Sequence, residues 1–373
     1  MAWGVTTVEK QREEFVRLAL SQGANRRELC GRFGISPTTG YKWIGRQSLG
    51  FSDRSRRPHA SPAQTPHEIE EIIVELRTEH PSWGGRKLRR RLEDLGHQGL
   101  PSPSTITQIL RRREMLGARA GTARDWQRFE HEAPNELWQM DFKGHFGLSA
   151  DLRCHPFTVI DDHSRYSLAI AACSNERLVT VQGLLTAIFE RYGLPHRLLC
   201  DNGPPWGSGG SQALTRLEVW LFRLGVGTCH GAPFHPQTQG KLERFHRTLK
   251  AEVIHGQAHK DLAACQRSFD TFRHSYNHHR PHEAHGLQVP SSKYRPSERR
   301  FPAQLLEPEY DVQDTVRRVS TGGRLSYKGQ HLDVPKSLVG QRVGLRPSTI
   351  DGVLEVRFFG KIVAQVNLRY NSD

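Results

Sequence analysis

Apolar residues recur at helical spacing over the first 115 positions, shift to strand-like runs from about residue 135, and end in short alternating segments after residue 300. Val8 to Leu20 sets Phe15, Val16, Leu18 and Ala19 on one side of a predicted helix that stops before Gly23. A second helix is expected from Arg26 to Phe33. Gly34 then offers a turn, Ser36 an N-cap and Pro37 a first helical position for a third helix through about Gln47. Three short helices with a glycine turn before the last have the pattern of a helix-turn-helix, although any small three-helix domain would share it.

A second helical block begins at Pro66, with Ile69, Ile72, Ile73 and Leu76 in period, and breaks at Pro81 and Trp83-Gly84-Gly85. Arg86 to Leu92 and Ser104 to Arg113 follow, the former with Leu88, Leu92 and Leu95 as its buried face, and together they predict another helix-turn-helix. Between the blocks, Ser48 to Pro66 is rich in Pro, Ser and Arg and has no apolar period, so it reads as a linker. From Asn135 the runs Leu137–Phe146, Phe157–Ile160 and Tyr166–Ala172 predict three consecutive strands. A helix over Leu178–Tyr192 and a short strand at His196–Cys200 come next, the order of an α/β domain with a mixed sheet. After Arg300, five short strands (Arg324–Tyr327, His331–Val334, Arg342–Leu345, Val353–Phe359 and Lys361–Asn367) fit a small β-barrel. The expected architecture is multidomain: all-α helix-turn-helix modules over 1–47 and 66–115 joined by a basic linker over 48–65, an α/β core over 133–295, and a C-terminal barrel over 310–373.

Charge sharpens this outline. Lys and Arg total 53 against 39 Asp and Glu, and the excess of +14 favours a polyanionic partner, nucleic acid or an anionic membrane surface. Residues 1–130 carry 23 basic and 15 acidic side chains, more than half of the excess, so the helical modules are the expected DNA-holding part. Lys42, Arg46, Arg54, Arg56, Arg57, Arg86, Lys87 and Arg90 are the candidate contacts there. A charge run is usually only a solvated face, but two such runs in small helical modules favour DNA. No stretch has the roughly 18 apolar residues of a spanning helix, and the N-terminus lacks a signal-peptide pattern, so a soluble, cytoplasmic protein without a membrane partner is expected. Six cysteines without any C-x-x-C pair read as reduced core thiols.

The chemistry rests on three acids. Asp141 interrupts an otherwise good strand, Leu137-Trp138-Gln139-Met140-Asp141-Phe142. Asp201 follows the apolar strand Leu198-Leu199-Cys200 and precedes Asn202-Gly203, the carboxyl edge of a strand where ligand sites form in open α/β sheets. Glu243 lies in a helical stretch, Gly240–Leu249, with Arg247 and Lys250 following at i+4 and i+7 on one face. Each has a plainer reading as a turn, cap or solvated ion-pair residue. Together they suit two-metal phosphoryl transfer, in which two Mg²⁺ about 3.5–4 Å apart activate the nucleophile and stabilise the leaving oxygen using few carboxylate ligands.

Residues 135–295 resemble the catalytic domain of retroviral-type integrases and insertion-sequence transposases. Five blocks carry the resemblance: Trp138-Gln139-Met140-Asp141-Phe142; Val159-Ile160-Asp161-Asp162-His163-Ser164-Arg165; Cys200-Asp201-Asn202-Gly203; His235 through Leu249; and Tyr276-Asn277-His278-His279-Arg280-Pro281-His282. It implies an RNase H-like core with a mixed five-stranded sheet and a D, D, E triad of Asp141, Asp201 and Glu243 that is both catalytic and metal-binding. It further implies Mg²⁺, for which Mn²⁺ can substitute, as cofactor, double-stranded transposon ends and target DNA as substrates, and a homo-oligomer that holds two ends in a bacterial cytoplasm. The 41 residues between Asp201 and Glu243 exceed the family's usual interval, with Pro204 to Gly210 as the apparent extension. Asp161 and Asp162 rival Asp141 but fall in a turn, and Glu218 lacks a matching context. Asn202 and Gly203 are expected to shape the metal loop, Gln237, Gln239 and Lys241 to meet the DNA end, and Arg244, Arg247 and Lys250 to contact phosphates. Zinc at the histidines between His230 and His285 is a weaker alternative without neighbouring cysteines. Two rival functions are a DNA-binding regulator, for which the acids would be structural, and a nuclease that cuts without joining.

Overall fold

The computed structural model describes residues 7–54, 64–116, 131–149, 152–201, 203, 206, 214–230 and 240–369. It divides into two compact units, 1–64 and 65–373.

In the first unit α1 (Val8–Ala19), α2 (Arg26–Arg32) and α3 (Pro37–Ile44) pack around Phe15, Val16, Cys30 and Trp43. Thr7, Asn25 and Ser36 each cap a helix by accepting an N–H at its third position, and Pro37 opens α3 as expected. Gly40 is needed for close approach: a Cβ there would stand 2.6 Å from Cys30 Sγ and 2.8 Å from Phe15.

The second unit starts with α4 (His67–Glu79), α5 (Gly85–Asp94) and α6 (Pro103–Arg112), which bury Ile73, Leu76, Trp83, Leu88, Leu92 and Ile106. The α/β part follows as β1 (Leu137–Phe142), β2 (Phe146–Gly147), β3 (Arg153–Asp161), β4 (Ser167–Cys173), α7 (Leu178–Tyr192), β5 (Arg197–Cys200), α8 (Arg216–Arg223), β6 (Gly227–His230), α9 (Gly240–Leu249) and α10 (Leu262–His278). The sheet has six strands, one more than expected because of the two-residue β2. It runs β2-β3-β1-β5-β6, with β4 also on β3, and it is mixed: β3 pairs antiparallel with β1 and β4, while β1-β5 and β5-β6 are parallel. Strand alternation divides the apolar residues between two faces. Trp138, Met140 and Phe142 pack against α7 and α8 on one face, and Ile160 and Ile170 pack against α9 and α10 on the other.

The expected C-terminal barrel is not closed. Among the described residues, β7 (Thr315–Arg318), β10 (Arg342–Pro347), β11 (Val353–Phe358) and β12 (Lys361–Asn367) form an antiparallel sheet in the order β12-β11-β10-β7, and β8 (Arg324–Tyr327) and β9 (Gln330–Asp333) form a separate hairpin. Leu325, Tyr327 and Leu332 of the hairpin share one core with Val343, Leu345, Val356 and Phe358 of the sheet and with Val219 and Phe222 of α8. The apolar faces are thus covered by packing two layers instead of by joining the edge strands.

One buried ion pair ties α4–α6 to the α/β part. Arg280, 5% exposed, bonds Glu252, which also accepts from Ser82, and the guanidinium lies 5.8 Å from the Trp83 ring. Removing one partner strands the other charge in a dry site. Arg280→Ala is therefore expected to cost about 3–5 kcal/mol in urea unfolding; a loss under about 1 kcal/mol, the level of an exposed pair, would show that Glu252 remains solvated.

Candidate active site

The β1-β5 register pairs Leu137 with Arg197, Trp138 with Leu198 and Gln139 with Leu199. Asp141 lies two residues beyond the last of these pairs on β1, and Asp201 is the first residue after β5, so the two acids fall at the same end of neighbouring parallel strands. The charge of Asp201 bears on Asp141. Burial pushes the Asp141 carboxyl up to about 7, with the Asp201 charge adding to the rise. Burial also raises Asp201, while the Gly203 N–H, donating to its Oδ1 at 3.1 Å, acts in the opposite direction. Trp206, buried against Phe142 and Phe157, pins the chain just beyond Asp201 to the sheet.

Asp141 faces the side of the sheet that carries α9. Its cross-strand partner is Thr158, whose hydroxyl donates to the Asp141 carbonyl at 3.0 Å and lies 2.7 Å from His246 Nε2 on α9. With the hydroxyl proton committed, Nε2 must be the protonated donor of that bond. Burial and then the Lys143 charge hold His246 down to about 3, so the imidazole is neutral. A two-bond relay thus joins the backbone of Asp141 to the helix bearing Glu243, one turn before His246. Glu243 itself is exposed in the first turn of α9. Among the described residues, no three His, Cys, Asp or Glu side chains converge as a metal cage.

The rival acids are engaged elsewhere. Asp161 accepts from the N–H of Asn135 and from the N–H and hydroxyl of Ser164. Asp162, buried, pairs with Lys241 at 2.6 Å and with His131 at 3.0 Å; burial works against its ionised form, but these partners prevail and lower its pKa. Glu218 completes a capping box with Thr215 and meets His230 Nε2 at 2.9 Å. The other ring nitrogen of His230 donates to the Asp201 carbonyl at 2.9 Å. Contacts with Cys200 Sγ and Glu218 raise His230 above the usual imidazole value. Burial keeps the Cys200 thiol neutral, which makes Glu218 the charged partner. Sequence reading missed this brace on Asp201, although the Thr215-x-x-Glu218 spacing is a capping-box signature. It also missed Glu176, held by His155 at 2.8 Å, whose charge raises both Asp141 and Asp201.

Of the expected DNA contacts, Lys42, Arg54, Arg86, Arg244, Arg247 and Lys250 are exposed. Arg46 lies over the Trp43 ring at 4.7 Å and donates to the Ser52 carbonyl. Arg90 pairs with Asp94 at 2.8 Å, and Lys241 is held by Asp162. Arg56, Arg57, Asn202, Gln237 and Gln239 lie outside the described residues, as do Pro204, Pro205 and 207–210 of the loop extension. Five of the six cysteines are buried and all are unpaired thiols.

The donor set suits a hard divalent cation. Two carboxylates forced together with one of them raised to about 7 are held apart in charge terms by nothing but protonation, and a cation relieves the same repulsion. A group raised in the folded state contributes stability that is fully present below its ordinary value of 3.8 and is lost as pH climbs through about 7. In metal-free protein Asp141→Asn is therefore expected to raise Tm by a few degrees above about pH 8 and to change it little near pH 4. Parallel melting profiles for the two proteins would remove Asp141 from a coupled pair.

Residues 131–236 and 224–290 match models of the integrase core domain, 11–59 a helix-turn-helix domain, 39–110 a homeodomain-like domain, and 314–373 the C-terminal domain of the IS481 family of transposases. A protein of insertion element IS407 from Burkholderia multivorans is 26% identical over 238 residues, 61% of this chain and 82% of that protein. The Gag-Pol polyprotein of baboon endogenous virus is 28% identical over 174 residues, 45% of this chain but only 9% of the polyprotein's length. The HTLV-2 integrase catalytic core domain in complex with magnesium aligns at a TM-score of 0.31 and 13% identity, over 44% of this chain and 99% of that one. The class defined is an RNase H-like integrase core joined to helix-turn-helix domains. Within it, the chain is similar to insertion-sequence transposases in its integrase core and in its IS481-type C-terminal domain. Among the described residues no helix is long and apolar enough to cross a membrane.

Proposed function

We propose that the protein binds the terminal inverted repeats of its element, cuts one strand at each end to expose a 3′-hydroxyl, and joins that hydroxyl to target DNA, with Asp141, Asp201 and Glu243 as the catalytic and metal-holding residues. The observation that carries the reading is that Asp141 on β1 and Asp201 just after β5 fall at the same end of parallel neighbours, with the Asp201 charge raising Asp141, on the face covered by α9. Asp141 and Asp201 would hold Mg²⁺ or Mn²⁺ through carboxylate oxygens, with Glu243 completing the set from α9. Two such ions per site, when bound, supply Lewis-acid activation of the attacking oxygen and neutralise charge on the phosphate.

The protein's part is positioning. Each step is a displacement at phosphorus: water attacks first and the 3′-oxygen leaves, then that 3′-hydroxyl attacks a target phosphate and a target 3′-oxygen leaves. No bond to the protein is required, so no Ser, Cys or Tyr nucleophile is assigned. The His230–Glu218 brace fixes the Asp201 backbone, and the Thr158–His246 relay fixes Asp141 against α9. The helix-turn-helix domains hold duplex DNA, the shared substrate of both steps, and an assembly of copies holds two ends at once. The setting is a bacterial cytoplasm.

Incubating the protein with a duplex of the element's end sequence, a target plasmid and Mg²⁺ separates the alternatives. Shortened ends together with joined products support transposition. Shortened ends alone mean a nuclease, and a bound but intact duplex means a DNA-binding regulator.

A further inference from the structure

Where the second helical module meets the core, a cleft of about 570 Å³ opens between the N-terminus of α5 and the outer face of α9. Arg86, Lys87, Arg244, Arg247 and Arg280 line it. The acids against them are few. Glu283 is shared between Arg86 at 3.8 Å and Arg244 at 3.4 Å, and Glu252 is taken up by Arg280. Lys87 is half-buried, and among the described residues it has no hydrogen bond or ion pair. Burial and then the nearby Arg280 charge depress its pKa to about 8, outweighing the opposing pull of Glu283 and Glu252. Gly84 precedes α5 without a side-chain cap, and Gly85 lets α5 lie against α6, since a Cβ there would stand 2.3 Å from the Pro103 carbonyl. Uncapped helix N–H groups, a lysine without a partner and several arginines form an anion seat from independent parts.

We propose that this cleft seats a backbone phosphodiester of duplex DNA, clamped between the second helix-turn-helix module and the helix that carries Glu243. The assignment rests on the transposase reading above. The space exceeds what a single inorganic phosphate fills, and its walls belong to a DNA-binding module and to the α9 residue that directly follows Glu243. One phosphate held there ties the register of the recognition module on DNA to the position of the catalytic helix. Phosphate contacts of this kind orient a duplex without reading its sequence.

The test is the salt dependence of binding, measured by anisotropy with a short fluorescein-labelled DNA duplex of arbitrary sequence. Lys87→Met and Arg247→Gln are each expected to weaken binding several-fold at low salt and to flatten the slope of log K against log salt by about 1, one phosphate contact apiece. Lys87→Met should leave the melting temperature unchanged or higher, because it removes a like charge and breaks no bond. Wild-type affinity and slope in both variants, with DNA still bound, overturn the cleft and leave the transposase reading standing. A preference for duplex RNA over DNA of the same sequence overturns the assignment to DNA. Failure of the wild type to bind DNA overturns both.

Discussion

Asp141→Asn and Asp201→Asn should each abolish strand cleavage and strand transfer in Mg²⁺ while leaving DNA binding within twofold or so of wild type. Holding a metal that stabilises transition-state charge is worth several kcal/mol, and about 4 kcal/mol corresponds to a thousandfold in rate. Neither side chain lies in a helical module, so anisotropy with duplex DNA should register both variants as intact. Asn keeps the size of the side chain and removes the charge, which also removes the repulsion that raises Asp141. The two variants should therefore be inactive and more stable than wild type when metal-free, a combination that misfolding does not produce. Retained strand transfer by either one would remove that residue from the site.

The two candidate aspartates stand out in the sequence because they sit where the chain's own periodicity changes. Asp141 breaks an apolar run that becomes β1, and Asp201 ends the run that becomes β5, so both appear as acids at strand positions that otherwise favour burial. Helices with a clear apolar stripe, α7 and α9, have the expected limits. What was missed depends on contacts between distant segments. β6 is four residues long with no alternation, and it becomes a strand only by pairing in parallel with β5. α10 was obscured by its histidines, although Cys265, Phe269, Phe272 and Tyr276 repeat at helical spacing and are its buried face. The barrel expectation counted strands and turns, which do not determine whether edge strands meet. Lys241 is expected to meet the DNA end from the block it shares with Gln237 and Gln239, and only the fold brings it to Asp162. The electrostatic company of Asp141 was likewise invisible, since Glu176 lies 35 positions along the chain.

The third carboxylate is the sharper question, because three glutamates compete for it. Glu243→Gln is expected to lose activity by about a thousandfold or more, as for the two aspartates. Its exposure on α9 predicts no loss of stability. Glu218→Gln should behave differently. Glu218 is buried and bonded to Thr215, Thr228 and His230, so its loss should lower Tm and discharge His230 while activity falls only in part, on the order of the 10–100-fold seen when a supporting group is removed. Glu176→Gln removes a charge that raises both aspartates, which should lower the pH at which cleavage reaches half its maximum and spare the rate at high pH. Activity against pH together with thermal melts on the three variants therefore assigns each glutamate its role. A Glu243→Gln protein that cleaves at the wild-type rate, beside an inactive but fully folded Glu176→Gln, would transfer the third position from α9 to the segment after β4. The Thr158–His246 relay adds an independent check on α9. If Glu243 acts from that helix, His246→Ala should slow cleavage without weakening DNA binding, and His246→Gln, able to donate to Thr158 through its amide, should restore part of the rate.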